Sequence, residues 1–441
     1  MKFHQIHYQW ARFRRHFTRF TWGGAWAAVL PEKQRQNLTL FFYDGLFAAA
    51  SDKIILTYIT IYLLFLGATR QQIGLLSSLS NLTAASLLLP AAMLVERTGQ
   101  RKRITLAGAT GSRLAVLLMA LLPMLLGGDG ILIWIVLSLA LLREGFNNIG
   151  FPGWMALTGD IVPIDGRGRY FGTRNFIMGI AGIITALVIG EAITRIGEPL
   201  GYQLSFILAV VLGGISMSFF ARLKDPQKLS RENEGTQSSL AHILASLKGE
   251  HGFIRFCVFT AVWNFAVNIS GPFFNVYMVD TLNMTAAMIG IATVGNTAAN
   301  LLVQRGVGGL ADRWGNRNVV IIFMLLIPIM PLLWGVWVQQ PWQAILMQTL
   351  GGILWGAYNL VSFNTILQQT PENQRARFSA LYQIVVTLSL AGGAALGSFI
   401  IPLVDFTGVT LASAGGRWLA GLLFLFLVRD KNPTGFQPDE S

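Results

Sequence analysis

Twelve stretches of about 20 or more residues, each dominated by Leu, Ile, Val, Ala, Phe and Gly, follow one another along the chain with short charged or Gly/Pro-containing turns between them. A run of that length and polarity is long enough to cross roughly 30 Å of bilayer hydrocarbon as a helix. In lipid the helix is also the form that satisfies its own backbone hydrogen bonds. The runs fall at about 38–66, 71–95, 104–127, 131–158, 171–196, 202–222, 253–280, 285–310, 319–338, 342–368, 379–403 and 409–429. The expectation is therefore an all-α polytopic membrane protein, its twelve transmembrane helices arranged as two six-helix bundles at 38–222 and 253–429. Residues 1–37 form an N-terminal tail, 223–252 a polar central linker and 430–441 a C-terminal tail.

Composition agrees, since 12% of the residues are charged against about 25% in a soluble globular protein. What remains outside the spans is too short for a soluble catalytic domain. The single cysteine, Cys257, excludes an intramolecular disulfide and a Cys-rich metal site. All five histidines, His4, His7, His16, His242 and His251, lie outside the expected spans, which argues against a histidine proton relay in the membrane. No nucleophile–base constellation or GxxxxGK[ST] loop is present, so an intramembrane enzyme and an ATP-driven pump are both disfavoured and no cofactor is implied.

Charge placement sets the expected orientation. The two tails, the linker and the loops near 96–103, 160–174, 311–318 and 369–378 hold 26 of the 33 Lys and Arg, whereas the opposite loops hold Arg70 and Arg195 alone. By the positive-inside rule both termini are expected in the cytoplasm. The net charge of +12 is spread over membrane-flanking loops, which does not make a nucleic-acid surface. In the first 22 residues Phe3, Ile6, Trp10, Phe13, Phe17 and Phe20 share one helical face opposite Arg12, Arg15 and Arg19, the pattern of an interfacial helix on membrane lipids.

The two halves repeat each other. The segment ending LVERTGQRKR aligns without gaps with that ending GLADRWGNRNV, pairing Gly74 with Gly290, Glu96 with Asp312, Arg97 with Arg313, Gly99 with Gly315 and Arg101 with Arg317. PIDGRGRYFG aligns in the same way with PENQRARFSA, pairing Arg167 with Arg375 and Arg169 with Arg377. An acid–Arg–x–Gly–x–Arg turn between two membrane helices closely resembles the signature loop between helices two and three of the major facilitator superfamily. Its second copy and the R-x-R segments resemble the family's corresponding loops. Twelve spans with a charged central linker extend the resemblance over essentially the whole chain. Three departures stand out: Glu96 replaces the family's usual Asp, the fifth span lacks the Gly-Pro pair of drug antiporters, and Arg143 lies one turn beyond the place of the family's fourth-helix arginine.

The repeated loop residues are expected to act as a cytoplasmic gate, with Glu96 and Asp312 pairing to arginines at neighbouring helix ends in one conformation and releasing them in another. Charges inside spans are the sharper signal, because hydrocarbon tolerates them only against a partner or a polar cavity. They are Asp44, Asp52 and Lys53 in the first span, Arg113 in the third, Arg143 and Glu144 in the fourth, Arg305 in the eighth and Arg417 in the twelfth. The resemblance implies that spans one, four, seven and ten line a central cavity. Asp52 and Glu144 are then candidates for protonation and Arg143 for substrate charge, with static Asp52–Arg143 or Lys53–Glu144 pairs as the plainer alternative. Arg113 and Arg417 lie on spans that the resemblance makes peripheral, and read as structural ties or lipid-facing side chains. Asn147, Asn148, Trp263, Asn264, Asn268, Trp355, Tyr358 and Asn359 complete a candidate cavity suited to hydrogen-bonding or amphipathic organic solutes. The resulting expectation is a monomeric, proton-coupled secondary transporter of a bacterial plasma membrane, working by alternating access on a small-molecule substrate. An uncoupled facilitator or lipid-type flippase of the same fold, and more distantly a non-transporting receptor, remain open.

Overall fold

The computed structural model describes residues 21–126, 130–224, 251–369 and 375–427. Its helices are α1 (Glu32–Phe65), α2 (Arg70–Thr98), α3 (Arg101–Leu126), α4 (Gly130–Ile161), α5 (Arg167–Ile196), α6 (Leu200–Ala221), α7 (His251–Ser270), α8 (Phe273–Asp280), α9 (Ala286–Trp314), α10 (Asn316–Leu326), α11 (Ile329–Val336), α12 (Pro341–Gln369) and α13 (Arg375–Leu427). Among the described residues there is no strand. Within the described residues eleven helical segments are long and apolar enough to span a membrane, and the difference from the expected twelve has a simple cause. The eleventh and twelfth runs join in α13, whose course breaks at Asp405 with φ 56° just after Pro402. The seventh run is split at Gly271–Pro272 into α7 and α8, and the ninth is split before Pro328 into α10 and α11, as expected where proline removes a backbone donor and crowds the preceding turn. Pro152, by contrast, sits inside an unbroken α4.

The chain forms two compact units. The first contains 21–69, 86–224 and Val279–Val294 of the described residues, and the second contains Arg70–Ala85, 251–278 and 295–427. Each unit thus takes in the first part of a helix from the other sequence half. In the second unit Ser398 donates to the Gln71 carbonyl at 2.7 Å and Ser78 to the Ala391 carbonyl at 2.9 Å. In the first, the Ala287 N–H donates to Thr194 Oγ1 at 3.1 Å, and Tyr58 donates to the Ala186 carbonyl at 2.6 Å. Gly74 and Gly290, paired by the internal repeat, occupy equivalent crowded places. A Cβ at Gly74 would come within 2.8 Å of Phe273 and Ser398, and one at Gly290 within 2.7 Å of the Ala186 carbonyl.

In the second unit α13 packs along α7 through small residues, the arrangement that lets membrane helices approach closely. A Cβ on Gly393 would overlap the Phe265 carbonyl oxygen, and one on Gly397 the Ile269 carbonyl oxygen. Gly397→Val is expected to lower the thermal unfolding midpoint in detergent, at a cost of about 1–3 kcal/mol or more from overpacking. Gly415→Ala, with open space around its Cβ, is the matched control. Equal midpoints for the two variants would refute the packing argument.

In the first unit, Trp22, Trp26 and Leu30 pack against a buried cluster that includes Phe41, Leu157, Ile161 and Tyr170. Trp22 also donates to Thr39 Oγ1 at 2.8 Å. The interfacial helix expected over the first 22 residues lies outside the described residues except for Thr21 and Trp22, as do most of the linker and all of the 430–441 tail.

Candidate functional site

Two of the ion pairs among the described residues of the first unit lie near the middle of apolar spans. Asp52 on α1 receives Arg113 of α3 at 2.9 Å, with the carboxylate side chain 44% exposed and the guanidinium side chain 12% exposed. On α4 the neighbours Arg143 and Glu144 pair with each other, with side-chain exposures of 4% and 30%. The static Asp52–Arg143 and Lys53–Glu144 pairings considered from sequence are therefore replaced. Counting along a span fixes the depth of a charge but not the direction it faces, and Arg113, read as a structural tie or a lipid-facing side chain, supplies the partner of Asp52. Glycine in α6 makes room for it: a Cβ on Gly213 would come 2.7 Å from Arg113 Cδ.

The two pairs share an asymmetry. In each, the guanidinium is the more buried member and the carboxylate the more exposed one. An ionised carboxylate facing hydrocarbon is costly, so this exposure suits a water-filled recess. Lys53 lays its stem over Gly182 of α5, Asn148 donates to the Glu144 carbonyl at 2.8 Å, and Asn147 is half-buried.

Asp44 sits in a buried cluster between α1, α5 and α6. It is 6% exposed, accepts a hydrogen bond from Ser216 of α6 at 2.7 Å and lies 4.0 Å from the Arg174 guanidinium of α5. Arg174 also covers the Phe41 ring at 4.3 Å and donates through Nε to the Phe41 carbonyl at 3.3 Å. The guanidinium occupies the space a Cβ on Gly45 would take. Sequence reading assigned Arg174 to the basic 160–174 loop and missed this cluster. The available signal was a glycine immediately after a buried acid.

In the second unit, Trp263 is buried against Tyr358 and Trp355, with ring centroids at 5.1 and 6.3 Å. Asn268 ties α7 to α13 by donating to the Leu390 carbonyl at 2.7 Å. Asn264 donates within its own helix to Thr260 at 2.9 Å, while Asn359 is exposed. Arg417, expected to be a structural tie or a lipid-facing side chain, is 3% exposed and ties α13 to α7. It donates to the Val267 carbonyl at 3.2 Å and to Ser270 Oγ at 3.3 Å.

At the repeated turns Gly99 (φ 64°) and Gly315 (φ 80°) both take the positive φ that favours glycine. Each donates its N–H four residues back, to Val95 at 2.9 Å and Ala311 at 3.0 Å, closing α2 and α9 in the same way. Arg101 pairs with Asp160 at the end of α4. Arg167 donates to the Gly159 and Val162 carbonyls, and Arg317 donates to the Leu425 carbonyl at 3.3 Å. Glu96, Arg97, Arg169 and Arg313 are exposed. The side chains of Arg305, Asp312, Arg375 and Arg377 lie outside the described residues. Among the described residues no group of His, Cys, Asp and Glu is arranged to hold a metal ion.

Comparison with known proteins places these features in a family context. The model of the Major Facilitator Superfamily matches residues 45–274 and 256–441. Multidrug resistance protein MdtG of Salmonella arizonae is 26% identical over 399 residues, covering 88% of this chain and 94% of the relative. MdtG of Salmonella typhimurium is 25% identical over the same length. Both carry that name although α5 here lacks the Gly-Pro pair. Among solved structures, the nucleoside transporter NupG superposes with a TM-score of 0.68 at 14% identity, covering 90% of this chain and 99% of that one. A bacterial homologue of the human lysosomal transporter Spinster, described as inward-facing and unoccupied, gives 0.66 at 14% identity, covering 91% and 100%. These structures share the fold.

Proposed function

The chain belongs to the major facilitator superfamily, and from that premise we propose that this multi-pass membrane transporter is a proton-coupled secondary carrier of small amphipathic organic solutes, working by alternating access. One observation carries the coupling: Asp52 and Glu144, both within membrane spans, are half-exposed carboxylates whose partners are the more buried arginines Arg113 and Arg143. A proton arriving at such a carboxylate cancels its charge and frees the guanidinium for an anionic group or a new hydrogen bond. Loss of the proton restores the pair. Ionisable groups near the middle of a span are where transporters place coupling sites.

The similarity to proteins named for multidrug resistance supports an amphipathic solute, and the aromatic and amide side chains of the second-half spans are chemically suited to one. The loop charges, Glu96, Asp312 and the arginines around them, would act as the cytoplasmic gate. Both termini would face the cytoplasm of a bacterial plasma membrane, and the working unit would be a monomer in contact with lipid.

The test is flux through purified protein in liposomes with an imposed pH gradient, over a panel of amphipathic cations, anions and neutral solutes. Gradient-driven accumulation of one solute class that collapses with a protonophore is the expected result. Flux of a solute that is the same with and without the gradient would replace this reading with an uncoupled facilitator.

A further inference from the structure

Arg417 lies in the interior of the second unit with no counter-ion among the described residues. No described carboxylate pairs with it, and its Nε is buried with no hydrogen-bond partner. The bonds it does make lead away through neutral groups. It donates to Ser270 Oγ, Ser270 donates to Ser413 at 3.0 Å, and Ser413 donates to the Ala266 carbonyl at 2.6 Å. That chain ends on a carbonyl, so it orients the guanidinium and leaves its charge uncompensated. A fully buried cation normally has an anionic partner or a strong set of acceptors.

A cavity of about 240 Å³ adjoins it, lined by Arg417, Phe274, Trp334, Trp355, Asn296 and Gln348 among others, with no acidic side chain in the wall. The Arg417 guanidinium carbon is 6.0 Å from the Trp355 ring centroid, and Trp334 stacks obliquely on Phe274 at 5.2 Å. The walls are therefore aromatic and apolar, with two amides and one unneutralised cation. At roughly 30 Å³ per water molecule the space holds about eight waters, which sets the ligand at the size of one substituted ring.

We propose that this cavity is a binding site for a small carboxylate with an aromatic or apolar body. Arg417 receives the carboxylate, the body lies among Phe274, Trp334 and Trp355, and the wall also holds Gln348 and Asn296, whose Nδ2 donates to the Gln348 carbonyl at 2.9 Å and whose Oδ1 can accept. Charge selects the head and the aromatic wall selects the tail, so neither inorganic anions nor neutral rings satisfy both. The site is distinct from the paired charges of the first unit, and its existence does not depend on proton coupling.

Binding to the purified full-length protein in detergent tests this, with tryptophan fluorescence and thermal midpoint as readouts and benzoate, benzamide and chloride as probes. Benzoate is expected to quench saturably and to raise the midpoint, with an affinity at least about tenfold above that of its neutral isostere benzamide, as befits a charged hydrogen bond. Arg417→Gln is expected to remove that preference. Should Arg417→Gln fail to fold, Gly351→Val decides the matter. Gly351 lines the cavity, and a Cβ there meets Met330 and Asn296 at 3.7–3.8 Å, so an extra side chain fits the backbone and fills the space. Gly351→Val should melt like the wild type and lose benzoate binding. Equal binding of benzoate and benzamide, an equal midpoint shift from chloride alone, or undiminished benzoate binding in folded Gly351→Val would each overturn the proposal. Because the readout is binding, it succeeds or fails independently of flux.

Discussion

Asp52→Asn is expected to cut gradient-driven accumulation by at least about tenfold while leaving solute exchange at equal pH largely intact. Asn keeps the shape of Asp52 and can still accept a hydrogen bond from Arg113, but it can neither carry a proton nor neutralise the guanidinium. A tenfold effect corresponds to about 1.4 kcal/mol, just under the range of about 1.5–3 kcal/mol for a hydrogen bond to a charged group. Residual transport in the variant should depend less steeply on pH, because one of the two carboxylates proposed to carry a proton is gone while Glu144 remains. Arg113→Gln should act differently, weakening binding and exchange together, since it leaves a carboxylate in the spans without its partner at 2.9 Å. Asp52→Asn protein that accumulates solute as steeply as the wild type would remove Asp52 from the coupling step and leave Glu144 as the remaining carboxylate of the proposal.

Arg174→Met should be the most destabilising of the single changes considered. It removes the cation that faces Asp44, and breaking a buried pair from one side costs about 3–5 kcal/mol, because a carboxylate that is 6% exposed keeps only the Ser216 hydrogen bond. The double variant Asp44→Asn with Arg174→Met should recover most of that loss, since Asn retains the Ser216 bond and no isolated charge remains. The comparison is a double-mutant cycle on thermal or denaturant unfolding in detergent, in which contacting residues are expected to be non-additive. Strictly additive losses, or an unchanged midpoint for Arg174→Met, would show that Asp44 and Arg174 do not stabilise each other across the gap of 4.0 Å.

The architecture was legible because hydrocarbon imposes a coarse, length-based rule, and because a duplicated turn leaves a literal copy. Gly99 and Gly315 aligned in sequence and both take a positive φ in the structure. Gly74 and Gly290 aligned and are crowded in equivalent places. The pairing of charges was not legible. Asp52 meets Arg113 rather than Arg143 because facing is a property of packed helices, set by gaps such as the one at Gly213, and sequence spacing along one helix carries no record of it. Arg174 escaped because a charge near a span end reads as topology, and Arg417 because the resemblance assigned its helix to the periphery.

The contribution of each sequence half to the other's unit has a consequence for how the protein is made. The Gln71 carbonyl meets its hydrogen-bond donor Ser398 across 327 positions of chain. At about 5–20 residues per second of synthesis, α2 has been in the membrane for tens of seconds before that donor exists. Throughout that interval the crowded face around Gly74 must be covered by lipid or by the insertion machinery. The same holds, over 93 positions, for Thr194 waiting on the backbone of Ala287. Assembly of both units is therefore completed only late in translation, and a ribosome stalled between the two halves would leave the first with a seam it cannot close.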